Sequence, residues 1–409
     1  MKPVGRFLLG VVNPRKFALL FLLVASLVLG AACNTSPIRI TNTPIAALNG
    51  QPGSFDAMEI DQAHHRLYAA DRTDHGIDVF DVSTPQATYL YTIKLPANPN
   101  GLAIAPDLGR LFAGTVTGSV VIVDINLAAN ATAAVIKEVP TGGKEVDLLD
   151  YAPSLHTVFA SNGVYGTIAS VDATTGAVKG LFKIGFALEQ PRFNPADGML
   201  YVTSPDAGAL FQVDPASGAI KDKVSLGGCL GKGLAIDPQT DEALIACKES
   251  TVTWDLRNKT AGNFNQVYGG DIVTYDAKVD RFFVAVPGRP GAGEVGIFGG
   301  HPIDYIATVS TQGTGNSAAY DETNDVVYTL DTRAKFAGLT SFRRPADDQL
   351  PASFVASLGL LGAVVVVAIV LIWVVARLGG PRPQPAVEPA PAIVHRKSAA
   401  SRLRDPHLE

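Results

Sequence analysis

Seven polar residues recur at near-equal intervals: Asp56, Asn100, Asp147, Glu189, Lys232, Asp271 and Asn316. Four are carboxylates, two are amides and one is a lysine. Gathered at one channel mouth, such hard oxygen ligands suit calcium, a cationic ligand or a sugar-like one. Asp56, Glu189, Asp271 and Asn316 are the candidate calcium ligands. Glu59, Asp150 and Arg192 follow three residues later in their own units and would extend the site inward. Asp71, Arg72, His75, Arg289 and Glu294 fall in loops around it, and His75 is the nearest candidate general base. The plain alternative is that a channel mouth is wet, so its residues are polar simply to avoid burial.

Other chemical motifs are weak. Gly291 to Gly296, GAGEVG, matches a nucleotide-loop spacing but precedes a strand instead of opening a helix. His64 and His65 are adjacent, with no third ligand nearby. No HExxH, GxSxG, CxxCH or Walker loop occurs. Cys229 and Cys247 flank the first two strands of one unit, and antiparallel pairing carries both toward one end. Outside the cytoplasm they form a candidate disulfide, closing a loop of about 19 residues and contributing roughly 3 kcal/mol; two separate buried thiols are the alternative. Sequons stand at Asn34, Asn130 and Asn258.

The elements that must position these residues repeat as well. Counting the residue before each first turn gives Asp61, Ala105, Ala152, Asn194, Asp237, Asp276 and Asp321, a period near 43. The next strand reads Leu67-Tyr68-Ala69, Leu111-Phe112-Ala113, Val158-Phe159-Ala160, and so on through Val327-Tyr328-Thr329. A third strand ends in a hydrophobe and an acid at Asp81, Asp124, Asp172, Asp214 and Asp255, while units six and seven carry Gly299 and Arg343 there. Short strands between Gly, Pro, Asn and Asp turns, four to a unit and seven units in all, predict an all-β, seven-bladed β-propeller. The unit resembles the YVTN family of propeller repeats over about Pro44 to Arg343, and Leu200-Tyr201-Val202-Thr203 nearly spells its name. That resemblance implies the fold. For function it implies only a range, from surface proteins and binding platforms to relatives of enzymes. Trp254-Asp255 falls in the hydrophobe-acid column and does not make this a WD40 protein.

The seventh unit stops at its third strand, so Ile45 to Leu48 is expected to supply the fourth and close the ring. The third strand of that unit and the closing strand then meet the flanking chain on one face, the lower. Both tethers, Cys33 to Thr43 and Arg343 to Ser353, leave from it, so the upper face looks away from the membrane.

The ends are apolar. Lys2, Arg6, Arg15 and Lys16 precede Phe17 to Ala32, an uncharged run before Cys33. This reads as a signal peptide, with cleavage, lipidation of Cys33 and an uncleaved anchor helix as alternatives. LVLGAAC resembles a lipobox with Gly30 where that pattern has Leu. Phe354 to Ala376 lacks any charge and as a helix would be about 34 Å long, enough to cross a bilayer. The Pro-rich tail Arg377 to Glu409 has six basic residues against three acids, which places it in the cytoplasm and leaves it disordered.

The chain carries a net charge of −5 and no basic block, which argues against nucleic acid. The expectation is a propeller on the extracytoplasmic side of the cell membrane. It would act as a binding or scaffold module for a protein, glycan or envelope component, with no required cofactor. The alternative is a calcium-dependent hydrolase of the lactonase type with its site at the channel mouth.

Overall fold

The computed structural model describes residues 39–126, 134–288 and 292–345. The expected signal or anchor, Cys33, the span Phe354 to Ala376, the tail and Arg289 lie outside them. No helix among the described residues is long and apolar enough to cross a membrane. The chain divides into two units, Met1–Ser353 and Phe354–Glu409, and every described residue belongs to the first.

Seven four-stranded antiparallel sheets follow one another as blades. Their innermost strands are Phe55–Asp61, Pro99–Ala105, Leu149–Ala152, Pro191–Asn194, Gly231–Asp237, Val273–Asp276 and Ala318–Asp321. The second strands explain the apolar triplets. All three residues of each triplet are buried, from Leu67–Ala69 to Val327–Thr329, because both faces of the strand pack on neighbouring blades. Phe80, Phe112, Phe159, Phe211 and Phe298 are fully buried in these seams, each contributing roughly 1.5–3 kcal/mol. Outer strands such as Thr88–Lys94 have one wet face and alternate accordingly.

The acid columns build turns. Asp81, Asp124, Asp172, Asp214 and Asp255 each accept the backbone N–H two residues later through Oδ1. Asp61, Asn194, Asp237, Asp276 and Asp321 do the same at the first turn of their blades. A short side-chain acceptor in this place stands in for a backbone turn bond. The repeat is thus a repeat of turn chemistry as much as of hydrophobes.

Ring closure differs from the sequence expectation. The fourth strand of blade seven is Thr41–Pro44, paired from Thr41↔Ser341 to Pro44↔Gly338, and not Ile45 to Leu48. The segment expected to be linker therefore enters the sheet. Its polar side chains hold it: Asn42 donates to the carbonyls of Phe336 and Leu339, and Gln86 of blade one donates to Thr43 Oγ1 at 2.8 Å. Ile45 and Leu48 instead anchor a single 3-10 turn, Ala46–Leu48, in the core between blades seven and one. The connector that follows, 45–54, is longer than its counterpart 95–98, and this shifts the strand toward the N-terminus. The flanking chain at Thr41 and Arg343 meets the propeller on one face, that of the first–second strand turns.

Candidate functional site: the channel mouth

The seven ring residues are the second residues of the innermost strands, or lie two residues before them, so the fold brings them around the upper mouth of the channel. They form three groups. In the first, Arg72 pairs with Asp56 and donates to Asn100 Oδ1 through Nε at 3.0 Å and Nη2 at 2.8 Å. Asn316 donates to Asp56 Oδ1 at 3.3 Å, and Asn100 passes the network on to Glu145 Oε1 at 3.2 Å. In the second, Lys232 stands 3.5 Å from Asp271. The third is Asp147 with Glu189, and no described cation forms an ion pair or hydrogen bond with either.

The charges follow this grouping. Burial raises Asp56 against the pull of Arg72, and raises Asp271 against Lys232. Asp271 in turn raises Lys232. Burial, and after it the carboxyl of Glu189, holds Asp147 well above the ordinary carboxylate range. Burial pushes Glu189 up to about 7 despite Lys232. Four ring carboxyls thus share two cations, and the deficit falls between blades three and four.

A lip of apolar side chains stands beside that deficit. Gly163–Tyr165 is a single 3-10 turn stopped by Gly166 at φ 60, and Leu188 N–H donates to Gly163 O. A Cβ on Gly166 would lie 2.5 Å from Phe186 O, and one on Gly163 would lie 3.5 Å from Asp147 Cβ. The turn therefore packs beside Asp147. On it, Val164 is 75% exposed and Tyr165 46%, with Phe186 40% exposed alongside. Lys144 lies over the Tyr165 ring at 5.7 Å. Large apolar side chains left in solvent next to a polar pocket mark contact surfaces.

Several sequence candidates have other places. Glu59, Asp150 and Arg192 line a cavity in the lower half of the channel. Asp71 is buried and caps its own loop, accepting the N–H of Thr73 and Asp74. His75 is an exposed loop residue at φ 51, and Glu294 opens a third strand. Cys229 and Cys247 form a disulfide with Cα atoms 5.3 Å apart. Of the four candidate calcium ligands, Asp56 is taken by Arg72 and Asn316, and Asp271 by Lys232. Among the described residues no three His, Cys, Asp or Glu side chains form a metal-holding group.

Sequence reasoning missed Gln190. Its side chain is buried and reaches from blade four to the innermost strands of blades five and six. Oε1 accepts the N–H of Leu234 at 2.8 Å and of Val273 at 3.1 Å, and Nε2 donates to Val273 O at 3.0 Å. One signal was present: the matching positions in the other blades are Ala57, Gly101, Leu148, Gly233, Ile272 and Ser317, so one long amide stands among small and apolar residues.

Fold and mouth together define a seven-bladed β-propeller with a polar, partly uncompensated channel opening. A chain of hydrazine synthase from Kuenenia stuttgartiensis is similar in structure, with a TM-score of 0.60 and 15% identity, covering 73% of this chain and 97% of that one. At that identity the likeness concerns the fold alone. No family model and no curated protein matches the chain.

Proposed function

We propose that this propeller is an extracytoplasmic binding module. Its upper face receives a macromolecular partner by placing a cationic group of that partner against Asp147 and Glu189. The observation that carries the reading is the juxtaposition of an acid pair that no described cation contacts directly and the exposed lip of Val164, Tyr165 and Phe186. A buried carboxyl held upward in this way gains when an ammonium or guanidinium arrives, and flanking aromatics exclude water around the new pair. A protein ligand offers both features at once, which favours it over a glycan. Assignment of the repeat to the YVTN type rests on its spelling. Anchoring at the membrane rests on the apolar ends of the sequence.

A photocrosslinking amino acid at position 165, introduced into the full chain in its own cells, tests the reading. The expected result is a discrete adduct that disappears in Asp147→Asn/Glu189→Gln, with no such adduct from Leu155 on the opposite face. An adduct insensitive to the double variant, or none at all, overturns it.

A further inference from the structure

Deeper than the ring residues, the channel holds a cavity with a volume of about 310 Å³. Its level in the ring is set by the residues two before the first turn of each blade. Blades five, six and seven place Ala235, Thr274 and Ala319 there, and these short side chains hollow the channel. Blades one, three and four place Glu59, Asp150 and Arg192 opposite.

The three charged groups are unequally satisfied. Arg192 Nη1 donates to Pro191 O at 3.1 Å, Leu149 O at 3.3 Å and Asp150 Oδ1 at 3.4 Å. Asp150 Oδ2 also accepts Phe193 N–H at 2.6 Å. Both of these groups are therefore occupied. Glu59 is half-buried, lines the cavity, and accepts no hydrogen bond from any described residue. Glu59, Asp150 and, at the lower rim, Asp276 stand against one lining cation, Arg192. Asp276 accepts the N–H of Lys278 and Val279, so the acid with free acceptors is Glu59. Burial pushes the Glu59 carboxyl up to about 7, with Arg192 opposing and Asp150 assisting. A carboxyl in a cavity wall that lacks a protein donor is poorly compensated, and a bound donor improves its position.

We propose that this lower compartment is a binding site, distinct from the mouth, for a small organic ammonium compound whose charged nitrogen donates to Glu59. At about 30 Å³ per water, the cavity has the room of roughly ten waters, which limits the ligand to a compact molecule. Ile60, Ile236 and Tyr275 give it apolar wall for the body of such a ligand. A bare alkali cation would leave that wall facing water. The inference does not depend on the upper-face reading.

The test is calorimetric titration of the full-length protein in detergent with benzylammonium, with benzyl alcohol and potassium chloride as controls. The expected result is saturable binding of benzylammonium alone. Loss of one charge-assisted hydrogen bond should weaken it about tenfold or more in Glu59→Gln. Asp147→Asn/Glu189→Gln should bind as the parent does. Equal affinity in Glu59→Gln overturns the assignment, as does loss of binding in the double variant, which would put the ammonium at the mouth. Binding of potassium with the same dependence on Glu59 would make the site one for inorganic cations. A parent that binds none of the three compounds refutes it as well.

Discussion

Gln190 holds Val273 by both its peptide N–H and its carbonyl, across two blade boundaries. Blades four and six are not neighbours, so one amide ties three blades together through Leu234 between them. Gly233 allows the approach, since a Cβ there would collide with Asp271 O. Replacing Gln190 by alanine leaves three buried backbone groups without partners. The expected cost is roughly 2–4 kcal/mol, read as a shift of the urea midpoint with an unchanged slope. An effect under about 0.5 kcal/mol would mean that water takes over the bonds.

Stability should fall as pH rises from acid to neutral. Glu59 and Glu189 move from an ordinary 4.5 to about 7 in the folded chain. The folded state holds these protons more tightly, so their contribution is fully present below 4.5 and is lost as pH rises through about 7. Melting temperatures across pH 4.5 to 8 should decline, and Glu59→Gln should decline less. At pH 8 that variant is expected to be more stable than the parent by on the order of 3 kcal/mol at most. A steeper decline in the variant would contradict the burial argument.

The disulfide Cys229–Cys247 closes a loop with a sequence separation of 18. Cys229→Ser/Cys247→Ser should lower unfolding free energy by roughly 3 kcal/mol in the chain-entropy account. Urea denaturation of parent and variant, each without reductant, measures it directly.

Calcium should not raise the melting temperature. Asp56 and Asp271 already have Arg72 and Lys232, and a divalent ion would have to displace both cations. A rise of several degrees, abolished by Asp271→Ala, would restore the hydrolase reading and call for assays on lactones.

Truncating one turn acid tests the repeat itself. Asp172 Oδ1 accepts from Thr174 N, Thr175 N and Thr175 Oγ1. Asp172→Ala is expected to cost about 1 kcal/mol, read by urea denaturation. Asp172→Asn keeps the acceptor and should recover most of that loss.

Much of this architecture was legible because it is periodic. The buried triplets, the turn acids and the ring residues each occupy one column, and a column carries its signal five to seven times. The ring column could be placed at the channel mouth because innermost strands have only one axis to surround. Its internal pairing was not legible. Arg72 reaches Asp56 and Asn100 from a loop, and no spacing rule predicts where a long side chain in a loop turns. Glu59, Asp150 and Arg192 were legible as residues deeper in the channel, but the cavity that they line depends on the short Ala235, Thr274 and Ala319 of other blades. The closing strand was misplaced because Thr41–Pro44 is short and polar, whereas the nearby Ile45 and Leu48 matched the expected hydrophobes and turned out to be seam residues.

Thr41 bonds to Ser341 across 300 positions of sequence. During synthesis the strand that completes the circle is among the first parts of the domain to emerge, and its partner is the last. Blades one to six can form as they appear, but the seventh stays open until the entire domain has been delivered. Until then two sheet edges are unpaired. A stalled or prematurely terminated chain would therefore be left as an open arc, sticky at both ends.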